Sequence, residues 1–244
     1  MTSLKAKDHS IVIGGSSGIG RALALHLSET GNVSALARRT DKLVELTDHN
    51  HKNIFALTCD VGSPDNIQCA LQKCVEHYGK VDKLIYCAGK QIIKPHRMMT
   101  VNDIDSLYEV NLRGALFASK IFCSAKISKK NAVFCAISSI AGTRPESGIV
   151  DYSVMKAALN TMIRGLAKES APRRFVGVAP GWLDTEMTRN QPIYGDAFKI
   201  SQQKNSPLGL TTVNDVVNAV AFLLSPHASS ITGQILCVDS GSSL

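Results

Sequence analysis

The stretch Ser10-Ile-Val-Ile-Gly-Gly-Ser-Ser-Gly-Ile-Gly-Arg-Ala-Leu23 decides how this chain of 244 residues is read. Ile11-Val-Ile13 is a short apolar run of β-branched side chains, the composition of a buried strand. Gly14-Gly-Ser-Ser-Gly-Ile-Gly20 follows, with glycines at 14, 18 and 20, and passes straight into a helical run beginning Arg21-Ala-Leu. Strand, glycine-rich turn and helix in that order aim free backbone N–H groups and the positive end of a helix dipole at one spot, which attracts a pyrophosphate. Glycine there permits a tight turn and a close approach of an anion to the main chain. Gly14, Ser16, Ser17, Gly18, Ile19 and Gly20 are therefore candidate dinucleotide contacts, in the spacing GxxxGxG rather than the more familiar GxGxxG.

Outward from this unit, short apolar runs alternate with longer amphipathic ones along the whole chain, the pattern of repeated βα units around a parallel sheet. Strands are expected at residues 10–13, 33–37, 54–58, 83–87, 132–137, 175–178 and 235–238. Helices are expected at 18–29, 41–49, 64–78, 101–126, 152–169 and 213–224. No repeat or linker interrupts the pattern, so residues 1–244 read as one α/β domain. The stretch 186–210, with Pro192, Gly195, Pro207 and Gly209, reads as a long irregular loop, a kind of segment that usually serves function.

Composition excludes several classes. The first nine residues are polar and charged and no run approaches the length of a membrane span, so neither a secretory leader nor a membrane anchor is expected. Seven cysteines, at 59, 69, 74, 87, 123, 135 and 237, form no CxxC pair, which points to a reducing cytoplasmic setting and no metal site. The net charge of +7 is dispersed, with short clusters only at Arg38-Arg39, Lys129-Lys130 and Arg173-Arg174, so no nucleic-acid partner is expected.

The second strand should deliver its last residues to the adenosine ribose. A carboxylate there selects NAD, whereas arginine pairs with the 2′-phosphate of NADP. The strand ends Ala37-Arg38-Arg39, with Ser16 near enough to assist, which favours NADP(H) unless the arginines merely point into solvent.

Tyr152 and Lys156 lie four apart in Asp151-Tyr-Ser-Val-Met-Lys156, and Ser139 precedes Tyr152 by 152 − 139 = 13 residues. Residues four apart share a helix face, so the ammonium of Lys156 is expected near the phenol of Tyr152. It would draw down a phenol pKa that is ordinarily about 10 and make it a usable acid/base. Ser138 competes with Ser139 for the hydroxyl role, and the spacing favours Ser139.

With these motifs in order, the sequence resembles the short-chain dehydrogenase/reductase family over nearly its whole length. Gly14 to Gly20 matches the family's TGxxxGxG loop, with Ile13 where threonine is usual. Asp60-Val61 resembles the adenine-contacting pair. Cys87-Ala88-Gly89 stands at the family's NNAG, with Tyr86-Cys87 in place of both asparagines. Asn111, Ser139, Tyr152 and Lys156 match the catalytic tetrad, Pro180-Gly181 and Thr185 the segment over the nicotinamide, and Val238-Asp239 the end of the last strand.

The resemblance implies a single doubly wound Rossmann-type domain whose mostly parallel seven-stranded sheet has the order 3-2-1-4-5-6-7, with helices on both faces. Residues 1–130 would mainly bind cofactor, and 131–244 would carry the catalytic residues and a substrate lid. It further implies hydride transfer between NADP(H) and a carbonyl or alcohol, with Tyr152 exchanging the proton, Ser139 holding the oxygen, Lys156 contacting the nicotinamide ribose and Asn111 positioning a water. A homodimer or homotetramer is implied as well. Trp182, Met187, Tyr194 and Phe198 could form an apolar lid or simply fill core, with Met98 and Met99 or residues 144–149 completing a wall. The segment Asn205-Ser-Pro-Leu-Gly209 with the run from Val213 resembles 3-oxoacyl-carrier-protein reductases, so the substrate could be linked to a carrier protein or to CoA. The altered Tyr86-Cys87 pair leaves open a second reading, a catalytically silent NADP-binding sensor or scaffold.

Overall fold

A computed structural model of the chain describes residues 7–48, 53–191 and 195–244. Seven strands form one parallel sheet: β1 (His9–Ile13), β2 (Asn32–Ala37), β3 (Ile54–Thr58), β4 (Val81–Tyr86), β5 (Ser128–Ile137), β6 (Arg174–Pro180) and β7 (Ile235–Val238). Their spatial order is β3-β2-β1-β4-β5-β6-β7, as the resemblance implies. Parallel neighbours cannot be joined by tight hairpins, so the connections cross over. They carry α1 (Gly18–Ser28), α2 (Thr40–Asp48), α3 (Pro64–Tyr78), α4 (Val101–Tyr108), α5 (Gly114–Phe122), α6 (Val150–Glu169), α7 (Glu186–Arg189), α8 (Asp196–Lys204) and α9 (Val213–Leu224).

Side chains alternate between the two faces of each strand, and helices cover both. Ile11 and Ile13 join Phe134 and Phe175 in one core, closed by Ile67 and Leu71 of α3, Phe122 of α5 and Leu159 of α6. Val12 joins Val33, Ile85 and Val176 in the other, closed by Leu23 of α1, Leu46 of α2 and Val216 and Val220 of α9. Coverage on both faces explains why Ile11-Val-Ile13 of β1 is apolar without a break. Full burial of a side chain such as Ile11, Val12 or Ile13 contributes about 1.5–3 kcal/mol.

The topology also places a cleft. β1 is flanked by β2 on one side and β4 on the other, so the connections after them leave in opposite directions and a crevice opens beyond their carboxyl ends. The chain is drawn together there: Cys87 N–H donates to Ile13 O at 2.7 Å, and Gly14 N–H to Leu36 O at 2.7 Å.

Two expectations are corrected. The helix expected over 101–126 is two helices, α4 and α5, joined by a π-turn at Glu109–Arg113, and it stops at Phe122 so that β5 begins at Ser128 rather than 132. In the wide turn Gly114 N–H reaches back five residues to Glu109 O. The irregular stretch expected over 186–210 contains α7 and α8. Its prolines and glycines flank these helices instead of interrupting them, and α8 carries Asp196 in its first turn and Lys204 in its last, matching the helix dipole. Among the described residues no helix is long and apolar enough to cross a membrane, and no group of metal-ligating side chains gathers.

Candidate active site

A cavity of about 490 Å³ runs along the crevice from the glycine turn to the carboxyl ends of β5 and β6. Most of the expected contacts line it: Gly14, Ser16, Ser17, Gly18, Ile19, Gly20, Arg38, Arg39, Val61, Ala88, Gly89, Ser139, Tyr152, Lys156, Pro180, Gly181 and Thr185. Asp60 and Asn111 do not. Asp60 turns its carboxylate to its own loop, where Oδ1 accepts from Gly62 N–H at 3.0 Å.

The turn is built as a cradle. Gly14 has φ +93°, and a Cβ there would lie 2.6 Å from Ala88 N and 2.8 Å from Cys87 C. A Cβ on Gly20 would collide with the carbonyl oxygen of Gly14. Strand, turn and helix therefore approach more closely than any side chain allows. Ser17 caps α1 in extended conformation without a side-chain hydrogen bond to it, so the first N–H groups of the helix face the cavity. Such a cradle beside a helix N-terminus, with Arg39 next to Ser16 at one end and a buried amine at the other, fits a phosphorylated dinucleotide. Arg39 is itself engaged: Nη1 donates to Glu186 Oε1 at 2.6 Å, and Nη2 to Ser16 Oγ at 3.4 Å.

At the far end, α6 places Tyr152 and Lys156 one turn apart, both buried. Lys156 Nζ lies 5.5 Å from the centroid of the Tyr152 ring and donates to Ile137 O, at the end of β5, at 2.9 Å. The expectation that Lys156 draws the phenol down is corrected. Burial pushes Tyr152 up to about 12, opposed by a hydrogen bond from Ser139, while burial pulls Lys156 down to about 8. The geometry explains the difference, because the amine is aimed at the carbonyl of β5 rather than at the phenol oxygen. Near neutral pH the phenol keeps its proton and the amine its charge.

The two serines separate clearly. Ser138 is buried and donates to Asn160 Oδ1 at 2.6 Å, a bond that ties β5 to α6. Ser139 accepts from Ala141 N–H at 3.2 Å, which leaves its O–H directed toward Tyr152. Asn111 is wholly buried in the π-turn. Its Oδ1 accepts from Lys90 N–H at 3.2 Å, and its Nδ2 donates to Lys90 O at 2.8 Å and Leu107 O at 3.0 Å. Its amide is thus committed to backbone. It stands behind Gly89, where a Cβ would lie 3.3 Å from Asn111 Oδ1 and 3.8 Å from Lys156 Nζ.

Of the lid residues, Trp182, Met187 and Phe198 line the cavity, and Trp182 meets Phe198 edge-on with centroids 5.4 Å apart. Arg144, Glu146, Ser147 and Ile149 complete the mouth, while Met98 and Met99 are not on the wall. Tyr194 lies outside the described residues. Sequence reasoning missed Gln91, Ile93, Gln191 and Glu186 in the wall. Glu186 follows Thr185 directly, but nothing in the sequence pairs it with an arginine 147 positions away. Tyr86, which stands where the family has asparagine, does not leave that position without a polar role. Its buried phenol donates to Val110 O at 2.7 Å, so it braces the π-turn that holds Asn111.

Comparison with known proteins adds to this geometry. Residues 14–243 match a family model described as enoyl-(acyl carrier protein) reductase. The chain is 32% identical over 237 residues to the 3-oxoacyl-[acyl-carrier-protein] reductase FabG of Escherichia coli, covering 95% of this chain and 96% of that one. It is 34% identical over 235 residues to a mouse 3-oxoacyl-[acyl-carrier-protein] reductase, covering 94% and 95%. Among solved structures, a short-chain dehydrogenase/reductase from Brucella melitensis superposes with a TM-score of 0.90 at 26% identity, covering 96% of each chain. A short chain dehydrogenase from Burkholderia cenocepacia in complex with NADP gives 0.87 at 28% identity, covering 97% of this chain and 98% of that one.

Proposed function

Because the chain belongs to the short-chain dehydrogenase/reductase family of oxidoreductases, we propose that it reduces a carbonyl to an alcohol with NADPH, and that the substrate is a 3-oxoacyl thioester. The observation that carries the reading is the convergence of Ser139, Tyr152 and Lys156 at one end of a cavity whose other end holds the glycine turn and Arg39. The relatives named as 3-oxoacyl-[acyl-carrier-protein] reductases support the substrate class, and the NADP complex of the Burkholderia enzyme supports the cofactor.

The glycine turn and the N-terminus of α1 would hold the pyrophosphate, Arg39 with Ser16 the 2′-phosphate, and Pro180, Gly181 and Thr185 the nicotinamide end. When bound, NADPH supplies a hydride to the carbonyl carbon. The chain's own residues manage the oxygen. Tyr152, protonated near neutral pH, gives its proton to the developing alkoxide, and the Ser139 hydroxyl donates a hydrogen bond to the same atom. Lys156, held by Ile137 O one helical turn from the phenol, would contact the nicotinamide ribose, and the Ser139 hydrogen bond is what favours the phenolate that remains after transfer. Trp182, Met187 and Phe198 supply apolar contact for an acyl chain and exclude water. We further propose a homodimer or homotetramer, on family membership.

Following NADPH oxidation with 3-oxoacyl thioesters tests this reading. Wild-type protein should turn over, and Tyr152→Phe should lower kcat by about 10²–10⁴-fold, the range for a lost general acid, with NADPH still bound. An unchanged rate in Tyr152→Phe defeats the assignment. NADPH binding without turnover of any carbonyl in a broad panel would favour the sensor reading.

A further inference from the structure

The guanidinium suited to a 2′-phosphate is already held by a carboxylate of the same chain. Arg39, just beyond β2, donates from Nη1 to Glu186 Oε1 at 2.6 Å, and Glu186 is the first residue of α7. The bond to Arg39, with a weaker contribution from Ser17 of the glycine turn, holds the Glu186 carboxyl below the usual carboxylate range. Ser16, Ser17, Arg39, Thr185 and Glu186 all line the one cavity. The pair therefore bridges the cleft where the adenosine end of a dinucleotide would lie. A phosphate and a carboxylate cannot both accept from the same N–H, and side by side they repel.

We propose that Glu186 is a cofactor-selectivity residue, an internal competitor for the 2′-phosphate that yields Arg39 to NADPH and keeps it when NADH binds. The inference rests on the NADP reading above. The pair is displaceable because its side chains are 38% and 50% exposed. Ion pairs of that kind are worth at most about fivefold in an equilibrium constant, whereas a phosphate brings more charge and several acceptor oxygens to the same planar fork. Glu186 thus holds NADPH affinity below what Arg39 alone would give, and it leaves NADH affinity untouched.

Isothermal calorimetry of NADPH and NADH on wild-type protein, Glu186→Gln, Arg39→Ala and the double variant tests this. Glu186→Gln should tighten NADPH about fivefold and shift NADH by less than twofold. The gain should disappear in the Arg39→Ala background, because the competition acts through that guanidinium. Equal NADPH affinity in wild type and Glu186→Gln overturns the inference while the NADP reading stands. So does an equal gain for NADH, which would mark a general effect of charge, or a gain that persists without Arg39. If wild type and Glu186→Gln both bind NADH but not NADPH, the NADP reading fails and this inference falls with it.

Discussion

Lys156 shows what the candidate site costs at the scale of one residue. Its ammonium is buried at 4% exposure with Ile137 O as its hydrogen-bond partner, and burial lowers it to about 8. The folded state holds this proton less tightly than the unfolded chain, where lysine titrates near 10.4. Below pH 8 both states are protonated and burying the charge destabilises the fold. Between about pH 8 and 10.4 the unfolded state binds more protons, so stability recovers as pH rises. Lys156→Met should therefore raise the melting temperature by on the order of 5 °C near pH 6–7, with the gain shrinking above pH 8, while carbonyl reduction is lost. Calorimetric melts across pH 6–10 check this, and a gain independent of pH would show that the charge is not its source. The pairing of Tyr152 with Lys156 was legible because spacing on a helix is arithmetic. The direction of the phenol's shift was not, because it depends on which acceptor the amine finds, and that acceptor is a backbone carbonyl on another element.

At the scale of elements the π-turn is the instructive case. Ile54–Thr58, Pro64–Tyr78, Val213–Leu224 and Ile235–Val238 coincide with the expected spans because hydrophobic period and capping residues fix them locally. The interruption at Glu109–Arg113 has no local signal, since the run from 101 keeps helical character. It is set by tertiary contact: the Tyr86 phenol donates to Val110 O and packs so tightly on Gly114 that a Cβ there would strike it. Tyr86→Phe should leave a buried carbonyl without that partner and destabilise the protein by about 2 kcal/mol, or roughly 5 °C. Slackening the turn around Asn111 should also reduce kcat. Thermal melts with steady-state rates test both, and a variant with unchanged melting would remove Tyr86 from this role. The helices α7 and α8 were hidden for the opposite reason, as the proline and glycine signals around them are strong but fall at their edges. The ion pair of Arg39 and Glu186 joins elements far apart in sequence and was not legible at all.

For the whole molecule, a net charge of +7 matters through its field rather than through any one contact. If the substrate rides on an acidic carrier protein, encounter should be steered electrostatically and weaken with salt. Raising sodium chloride from 50 to about 300 mM should lower kcat/KM for a carrier-linked 3-oxoacyl substrate several-fold, with little change for an uncharged N-acetylcysteamine thioester. Equal salt dependence of the two would mean that the carrier is not recognised by charge. The single parallel sheet has a further consequence. With every described strand running the same way, the residues argued to act on cofactor and substrate gather past one rim, and the described connections at the opposite rim lead from helix back to strand. One of these is at Gly79, which turns the chain from α3 into β4 with φ +81° and whose carbonyl accepts from His9 Nδ1 at 2.8 Å. A tag or fused module is therefore expected to disturb carbonyl reduction least on that far side, since the full depth of the sheet separates it from the working end.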